Sequence, residues 1–466
     1  MLKLYRDNKD QPELWESFLP PALKQIPEEL ALVDEALGDK KFVSRFEKKL
    51  LVKLQEEEIS SHLGRPTIPL ATYIRLMYLK FRYQLGYETL LKEVSDSIQW
   101  RRFCDLSLYQ EVPDDTTLIK LTNRFGQELI DELNHALICK VKERKLIKGK
   151  KMRIDTTVIS SNIHYPTQST LLGDGVRVIT RTIKKIEKKL NNKIKFTNRL
   201  RTIRKTLLNL TKFVRGKTSS LKKKLQQKVL SVTEEVLKEA KNVQKFLKRS
   251  FSLKKRISPA ITSLKGKLKE AISLTEIVAN QTKQVFRGNY HLPKRIVSIF
   301  DSQARPIIKG KVSPKTEFGR TVLIQEAEVP LITNYKVFEG VPGDAAQVIP
   351  AVKKHRKIFG RSPKEIAGDR GCYNKEHENL LHRLGVKHVS IPARGNRDPT
   401  CKEKEHTFWF KQLQRWRAGS EALISLLKRK FGLSRSLFRG TPGTATWVGY
   451  TVFAYNLWEM AKLNSS

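Results

Sequence analysis

Apolar positions in the first third of the chain recur at steps of three and four residues. The run TIPLATYIRLMYLKFRYQLGYETLLKEVSDS, residues 67–97, keeps that spacing, with Pro66 and Gly86 as punctuation. A second segment opens at Pro113 with capping residues from Asp114 to Thr117 and continues as amphipathic helix toward Ile147. Residues 1–150 therefore read as an all-helical domain. At GKKMRIDTTVISS the period changes: alternating and β-branched residues predict a strand that carries Asp155, and a loop with Pro166 and Gly173 follows.

Helical spacing returns between Arg177 and Arg287. Ile179, Ile183, Ile186 and Leu190 form a heptad-like seam, continued by Leu200, Ile203, Leu207, Leu210 and Val214. The seam breaks at RGKTSS, residues 215–220. It resumes through Leu225, Val229, Val232, Val236, Val243 and Leu247 until Ser258 and Pro259 interrupt it. The simplest expectation for residues 177–287 is an antiparallel, coiled-coil-like hairpin with one further returning helix.

Beyond the insertion, KRIVSIFD, FGRTVLIQEAE and LITNYKVFE read as meandering strands. Helix and strand then alternate: GDAAQVIPAVKKHRKIFG helix, KEIAGD strand, NKEHENLLHRLG helix, KHVSIPA strand, and a long helix from Phe408 toward Leu433. Such an order predicts an α/β domain with a mixed sheet flanked by helices, made of residues 151–176 and 288–466. The tail TWVGYTVFAYNLWEMAKL is apolar nearly all round and reads as a buried closing helix.

Composition adds a partner class. The 466 residues carry a net charge of +43, and residues 177–287 hold 32 Lys and Arg against 6 acids. So basic a surface repels itself unless something anionic lies against it, and nucleic acid is the first candidate. No run of about eighteen apolar residues is present to span a bilayer, and the N-terminus has no signal-peptide core, so a cytoplasmic, nucleoid-associated location without membrane contact is expected. The four cysteines, Cys104, Cys139, Cys372 and Cys401, are scattered without a C-x-x-C pair and suit a reducing compartment.

The candidate chemistry lies in acids at strand ends. If the strands bearing Asp155 and Asp369 are parallel neighbours, their carboxylates meet near one sheet edge, where open sheets keep their sites. Two carboxylates held together repel each other, and a hard divalent ion with oxygen ligands relieves that. On the long helix, Arg417, Glu421 and Lys428 fall within about forty degrees of one face. The stripe of Leu413, Trp416, Leu423 and Leu427 lies about a quarter turn away, so packing it on the sheet holds Glu421 near the aspartates.

These residues carry a resemblance. From GRPTIPLATYIRLMYLKFRYQLGYETL and VPDDTTL, through RIDTTVISSNIHYPT, SIFDSQARPIIKGK and EFGRTVLIQE, to GDRGCYN and RAGSEALISLLK, the chain resembles a DDE transposase of bacterial insertion sequences. The resemblance covers most of the chain outside the insertion. It implies an RNase H-like catalytic domain, with the all-helical domain recognising terminal repeats. It also implies Asp155, Asp369 and Glu421 as catalytic acids and metal ligands for Mg2+, with Mn2+ as a substitute, cutting transposon ends and joining them to target DNA. Arg417 and Lys428 match the Arg and Lys of the family's Y-R-E-K pattern and would contact DNA, and a homodimer would pair the two ends. Gln414 stands at the tyrosine position, a departure from the pattern.

Other readings are weaker. RGKTSS is no phosphate loop, because Thr211 stands where the first glycine belongs and no strand precedes it. Cys372, His377, His382, Cys401 and His406 match no usual zinc spacing, and Trp409 and Trp416 read as core beside an apolar stripe. The insertion is expected to contact DNA, although charge alone singles out no residue there. The rivals to a transposase are a catalytically inactive DNA-binding or architectural relic of the same fold and a nuclease that cuts without rejoining.

Overall fold

The structure, a computed structural model, describes residues 18–20, 25–38, 44, 46–48, 50, 52, 55, 68–191, 194–213, 219–252, 258–308, 316–395 and 399–465. Pro66, Val214 and residues 215–218 of the expected RGKTSS turn lie outside the described residues. The chain divides into two units, one of Met1–Ser160 with Arg320–Ser466, the other of Ser161–Gly319.

The first unit begins with helices α1 (Glu28–Leu37), α2 (Leu70–Arg82), α3 (Tyr87–Asp96), α4 (Ile98–Phe103) and α5 (Asp115–Glu143). Gly86 is the N-cap of α3, and the Asp114 carboxylate caps α5 by accepting the Thr116 N–H at 3.2 Å. After α5 the chain enters β1 (Lys151–Ser161), the strand predicted to carry Asp155. Strands β3 (Thr316–Glu326) and β4 (Ile332–Phe338) pair antiparallel, and β3 lies next to β1. On the other side of β1 come β5 (Glu365–Ala367) and then β6 (His388–Ser390), joined in parallel. Helices α10 (Asp344–Phe359), α11 (Lys375–Arg383), α12 (Pro399–His406) and α13 (Phe408–Lys430) alternate with these strands, and the short β7 (Arg435–Ser436) pairs with β1.

The apolar tail forms α14 (Gly440–Ser465), which packs against α1, α2, α5 and β4. Its few polar groups are satisfied inside. Tyr450 shares a 2.8 Å hydrogen bond with Tyr73, and the buried Asn456 amide pairs with both the N–H and the carbonyl of Ile332 at 2.9 Å. Leu30, Leu76, Leu133, Val322, Ile324, Val448 and Phe453 belong to one hydrophobic core. The change from helix to strand at residue 150 thus does not divide the core.

Among the described residues, the second unit holds four helices: α6 (Gln168–Lys189), α7 (Leu200–Phe213), α8 (Ser219–Ser252) and α9 (Pro259–Phe286). The expected seam is buried, with Ile179, Ile183, Ile186, Ile203, Leu210, Val229, Val236 and Val243 in one cluster. The expected hairpin with one returning helix is corrected to four helices, because the first arm is broken. Asn191 turns left-handed at φ 50° just after α6, and the Asn198 carboxamide oxygen accepts the Leu200 N–H at 3.1 Å to start α7.

Two further expectations fail. Gly173 lies within α6 rather than in a loop. A Thr167–Thr170 capping box starts the helix ahead of it, and a Cβ at Gly173 would stand 2.6 Å from Leu207 Cδ1, so the glycine serves close helix packing. KRIVSIFD contains no strand, because the Ser298 hydroxyl accepts the N–H groups of Phe300 and Asp301 and turns the chain. The strand comes later, as β2 (Arg305–Ile308), antiparallel to residues 316–319.

Candidate active site

Parallel pairing of β1 and β5 aligns Lys151 with Glu365, Met152 with Ile366 and Arg153 with Ala367. Asp155 and Asp369 each follow two residues beyond the last of these pairs. The structure therefore brings the two sequence-predicted aspartates to the same end of adjacent strands. Asp155 accepts the Thr156 N–H at 2.7 Å, and its side chain is 15 % exposed. Asp369 caps the 3-10 turn Arg370–Cys372 by accepting the Cys372 N–H at 3.2 Å.

A third carboxylate at this place escaped the sequence reading. Asp344 opens α10, and a Cβ added at Gly371 would meet Asp344 Oδ2 and Asp369 Oδ1, each at 2.9 Å. Glycine at 371 leaves room for both acids. The buried Cys372 thiol reports the same crowding, for burial, then Asp369, Asp344 and Asp155, raises its pKa far above the usual thiol value. Burial and the neighbouring carboxylates thus disfavour the Cys372 thiolate. A first-turn acid on a helix is ordinary, so only the approach to Gly371 sets Asp344 apart.

The long helix α13 supplies the predicted cation and the third predicted acid. Arg417 lies 4.0 Å from Asp155 Oδ2 and 3.0 Å from Glu421 Oε1, so it stands between two carboxylates. Glu421 is 69 % exposed and turned toward Arg417. Lys428 lies half-buried two turns further along α13. Among the described residues, no three His, Cys, Asp or Glu side chains are close enough together to hold a metal ion. Asp155 and Asp369 are gathered at one strand end, while Glu421 is joined to Asp155 only through Arg417. In donor chemistry the carboxylate oxygens fit a hard divalent cation.

The contacts that seat α13 on the sheet were not among the features singled out from the sequence. Arg153, two residues before Asp155 on β1, forms a buried ion pair with Glu326 at the end of β3. Arg153 also donates to the Trp416 carbonyl and lies 4.8 Å from the centre of the Trp416 ring, while Ser420 donates to the other oxygen of Glu326 at 3.0 Å. A Cβ at Gly419 would stand 2.7 Å from Arg153 Nη1, so glycine permits this approach. The available signal was an arginine inside an apolar strand together with the small pair Gly419-Ser420.

Gln414, at the departed tyrosine position, ties α13 to the strand ends. Its amide nitrogen donates to the Ser390 carbonyl at 2.7 Å and lies 3.0 Å from the Ser390 hydroxyl and 3.3 Å from the carbonyl of Gly368, the residue before Asp369. Trp409 stacks on His388 at 4.7 Å. Of the zinc-set residues, His377 contacts the Ala345 carbonyl and His382 that of Val386, at 3.0 and 2.9 Å.

Residues 22–124 match the family model described as Transposase domain (DUF772). The match supports a transposase family. It covers the N-terminal helices and ends within α5, ahead of every residue of the site. The chain is also similar to a protein of Rhizobium meliloti named uncharacterized protein ORF8 in nfe locus, 28 % identical over an alignment of 132 residues that covers 26 % of this chain. The chain spans 62 % of the length of that relative. No solved structure matches. Among the described residues, no helix is long and apolar enough to cross a membrane.

Proposed function

We propose that the protein is an insertion-sequence transposase of the DDE type, with Asp155, Asp369 and Glu421 as its acids. The observation that carries the proposal is the arrival of Asp155 and Asp369 at one end of adjacent parallel strands, in a chain whose N-terminal helices match a transposase domain. An RNase H-like catalytic domain is supported by the meander of β1, β3 and β4 followed by β5 and β6 at the opposite edge of β1.

Asp155, Asp369 and Glu421 would hold Mg2+, with Mn2+ as a substitute. When bound, the ions neutralise charge on the attacking and leaving oxygens of phosphoryl transfer. The chain's own groups bind and orient the DNA. Arg417 offers a planar fork to a phosphate, and Lys428 a point charge about three turns further along the same helix face. Gln414 replaces a tyrosine contact with an amide that fixes the helix, so a base or phosphate contact from this position is absent from the mechanism. In the same reading, the N-terminal helices recognise terminal repeats, two protomers pair the element ends, and the protein works in the cytoplasm at the nucleoid.

The test uses labelled DNA carrying the element's ends, with Mg2+ or EDTA, and the variants Asp155→Ala, Asp369→Ala and Glu421→Ala. Metal-dependent cleavage and strand transfer, abolished in all three variants while DNA binding persists, are expected. Binding without cleavage by the intact protein under both Mg2+ and Mn2+ would instead establish the inactive, architectural relic. Cleavage without joining from a pre-cut end would identify a nuclease.

A further inference from the structure

Charge in the four-helix unit is distributed unevenly. Residues 177–213 contain thirteen Lys and Arg and one acid, Glu187, whereas Pro259–Phe286 holds four against two. The remaining acids of the unit's helices serve chiefly as ties. Glu234 pairs with Lys283 and Glu276 with Lys241, linking α8 to α9, while Arg199 engages both Glu235 and Glu239. Helices α6 and α7, which pack against each other, are left with almost unopposed positive charge.

That charge forms stripes. Arg181, Lys184, Lys185 and Lys188 stand at i, i+3, i+4 and i+7 on α6, all exposed and, among the described residues, outside any ion pair. On α7, Arg201, Arg204 and Lys205 repeat the spacing with exposed side chains. At 1.5 Å per residue the α6 stripe is about 10 Å long. A duplex presents one negative charge per roughly 1.7 Å of axis, so about six phosphates face the four cations over that length.

We infer that the exposed stripes of α6 and α7 are a contact surface for the phosphate backbone of double-stranded DNA, read without regard to sequence, and that the face of α9 is not. The α6 stripe has no exposed apolar side chain to enter a bilayer, and α7 exposes only Leu208 beside its cations, which favours a polyanion over a lipid surface. Nor does either stripe interleave aromatics for stacking on unpaired bases. The inference rests on the reading of the protein as one that acts on DNA, but it involves none of the acids proposed for catalysis.

Binding of the full chain to a random-sequence duplex, measured in EDTA across a range of salt, tests it apart from cleavage. One variant carries Lys184→Ala, Lys185→Ala, Arg204→Ala and Lys205→Ala; a control of equal charge change carries Lys267→Glu and Lys269→Glu on α9. Far-UV circular dichroism verifies that both fold. Loss of four phosphate contacts is expected to lower the slope of log K against log salt by about 3.6 and affinity at moderate salt by more than tenfold, with the control near the intact protein. Equal losses in the two variants would reduce the effect to net charge and overturn the assignment. Unchanged DNA binding, with or without lost binding to phosphatidylserine vesicles, would overturn it too. Since EDTA removes metal chemistry, failure of the catalytic proposal leaves this measurement intact.

Discussion

Replacing Arg153 by Met would remove the cation from a buried pair and leave Glu326, its side chain only 2 % exposed, with the Ser420 hydroxyl as its partner. Loss of one partner of such a pair costs about 3–5 kcal/mol, because the other is left in a poor dielectric without compensation. The loss is bounded from above by protonation. Burial already raises the Glu326 pKa against the pull of Arg153 and Ser420, so without Arg153 the carboxyl takes up a proton instead of remaining ionised. The contact with the Trp416 carbonyl disappears as well. Hydrogen exchange is the suitable assay, since it reads the opening of α13 separately from unfolding elsewhere. We expect the opening free energy of the α13 amides to fall by about 3 kcal/mol in Arg153→Met. Adding Glu326→Met should restore much of it, a coupling of about 1–3 kcal/mol between the sites. Arg153→Met alone should also lose the proposed end cleavage, because α13 then loses the contact that seats Arg417 beside Asp155. An Arg153→Met change below about 1 kcal/mol, or strict additivity of the two substitutions, would refute the claim that this pair docks the helix.

Two further outcomes follow from named contacts. Gln414→Glu is nearly isosteric but turns the donor toward the Ser390 and Gly368 carbonyls into an acceptor; stability should fall by about 1–3 kcal/mol in thermal melts, and an unchanged melting temperature would show that the amide does not hold α13. His355 is buried with Nε2 3.0 Å from the Gly149 carbonyl, which suits a neutral ring donating from Nε2, and burial lowers its pKa below the usual value. The unfolded chain titrates near 6.5 and binds a proton there that the folded chain refuses, so stability present above about pH 6.5 should be lost as pH falls through that value. Urea melts of His355→Gln should show a flatter dependence between pH 7 and 5, and identical slopes would remove His355 from the account.

The sequence was legible where a local period decides the structure. From Thr316 onward, β3 to β6 and the helices α10, α11, α13 and α14 fall where alternation and helical spacing put them, since each buries apolar residues in one of two cores, whereas α12, which buries none, and the two-residue β7 carried no such signal. In the insertion, the seam through Ile179, Ile183 and Val236 is buried, yet the helix count escaped because a broken arm and an unbroken one share the same apolar spacing. Gly173 misled for a related reason: glycine marks both a loop and a close helix contact, and only Leu207 on the facing helix distinguishes them. KRIVSIFD has β-branched residues, but the Ser298 hydroxyl offers its neighbours a local acceptor, which defeats the propensity.

The candidate site was legible in its acids and illegible in its supports. Asp155 and Asp369 could be paired from strand order alone, but Arg153 and Glu326 are 173 residues apart, and neither has a periodic signature. Yet those supports determine what the acids can do. On α13, Trp416 and Ser420 face the buried pair, while Arg417 and Glu421 follow each of them by one residue, or about 100° of helix rotation. The inward residues fix the direction of the outward ones. Gly419 lets the helix approach Arg153, Gln414 ties the same helix to the carbonyl preceding Asp369, and Arg417 consequently reaches Asp155. The meeting of helix and strand ends therefore depends on residues outside the three proposed acids, and an error in seating α13 would displace Arg417 and Glu421 together.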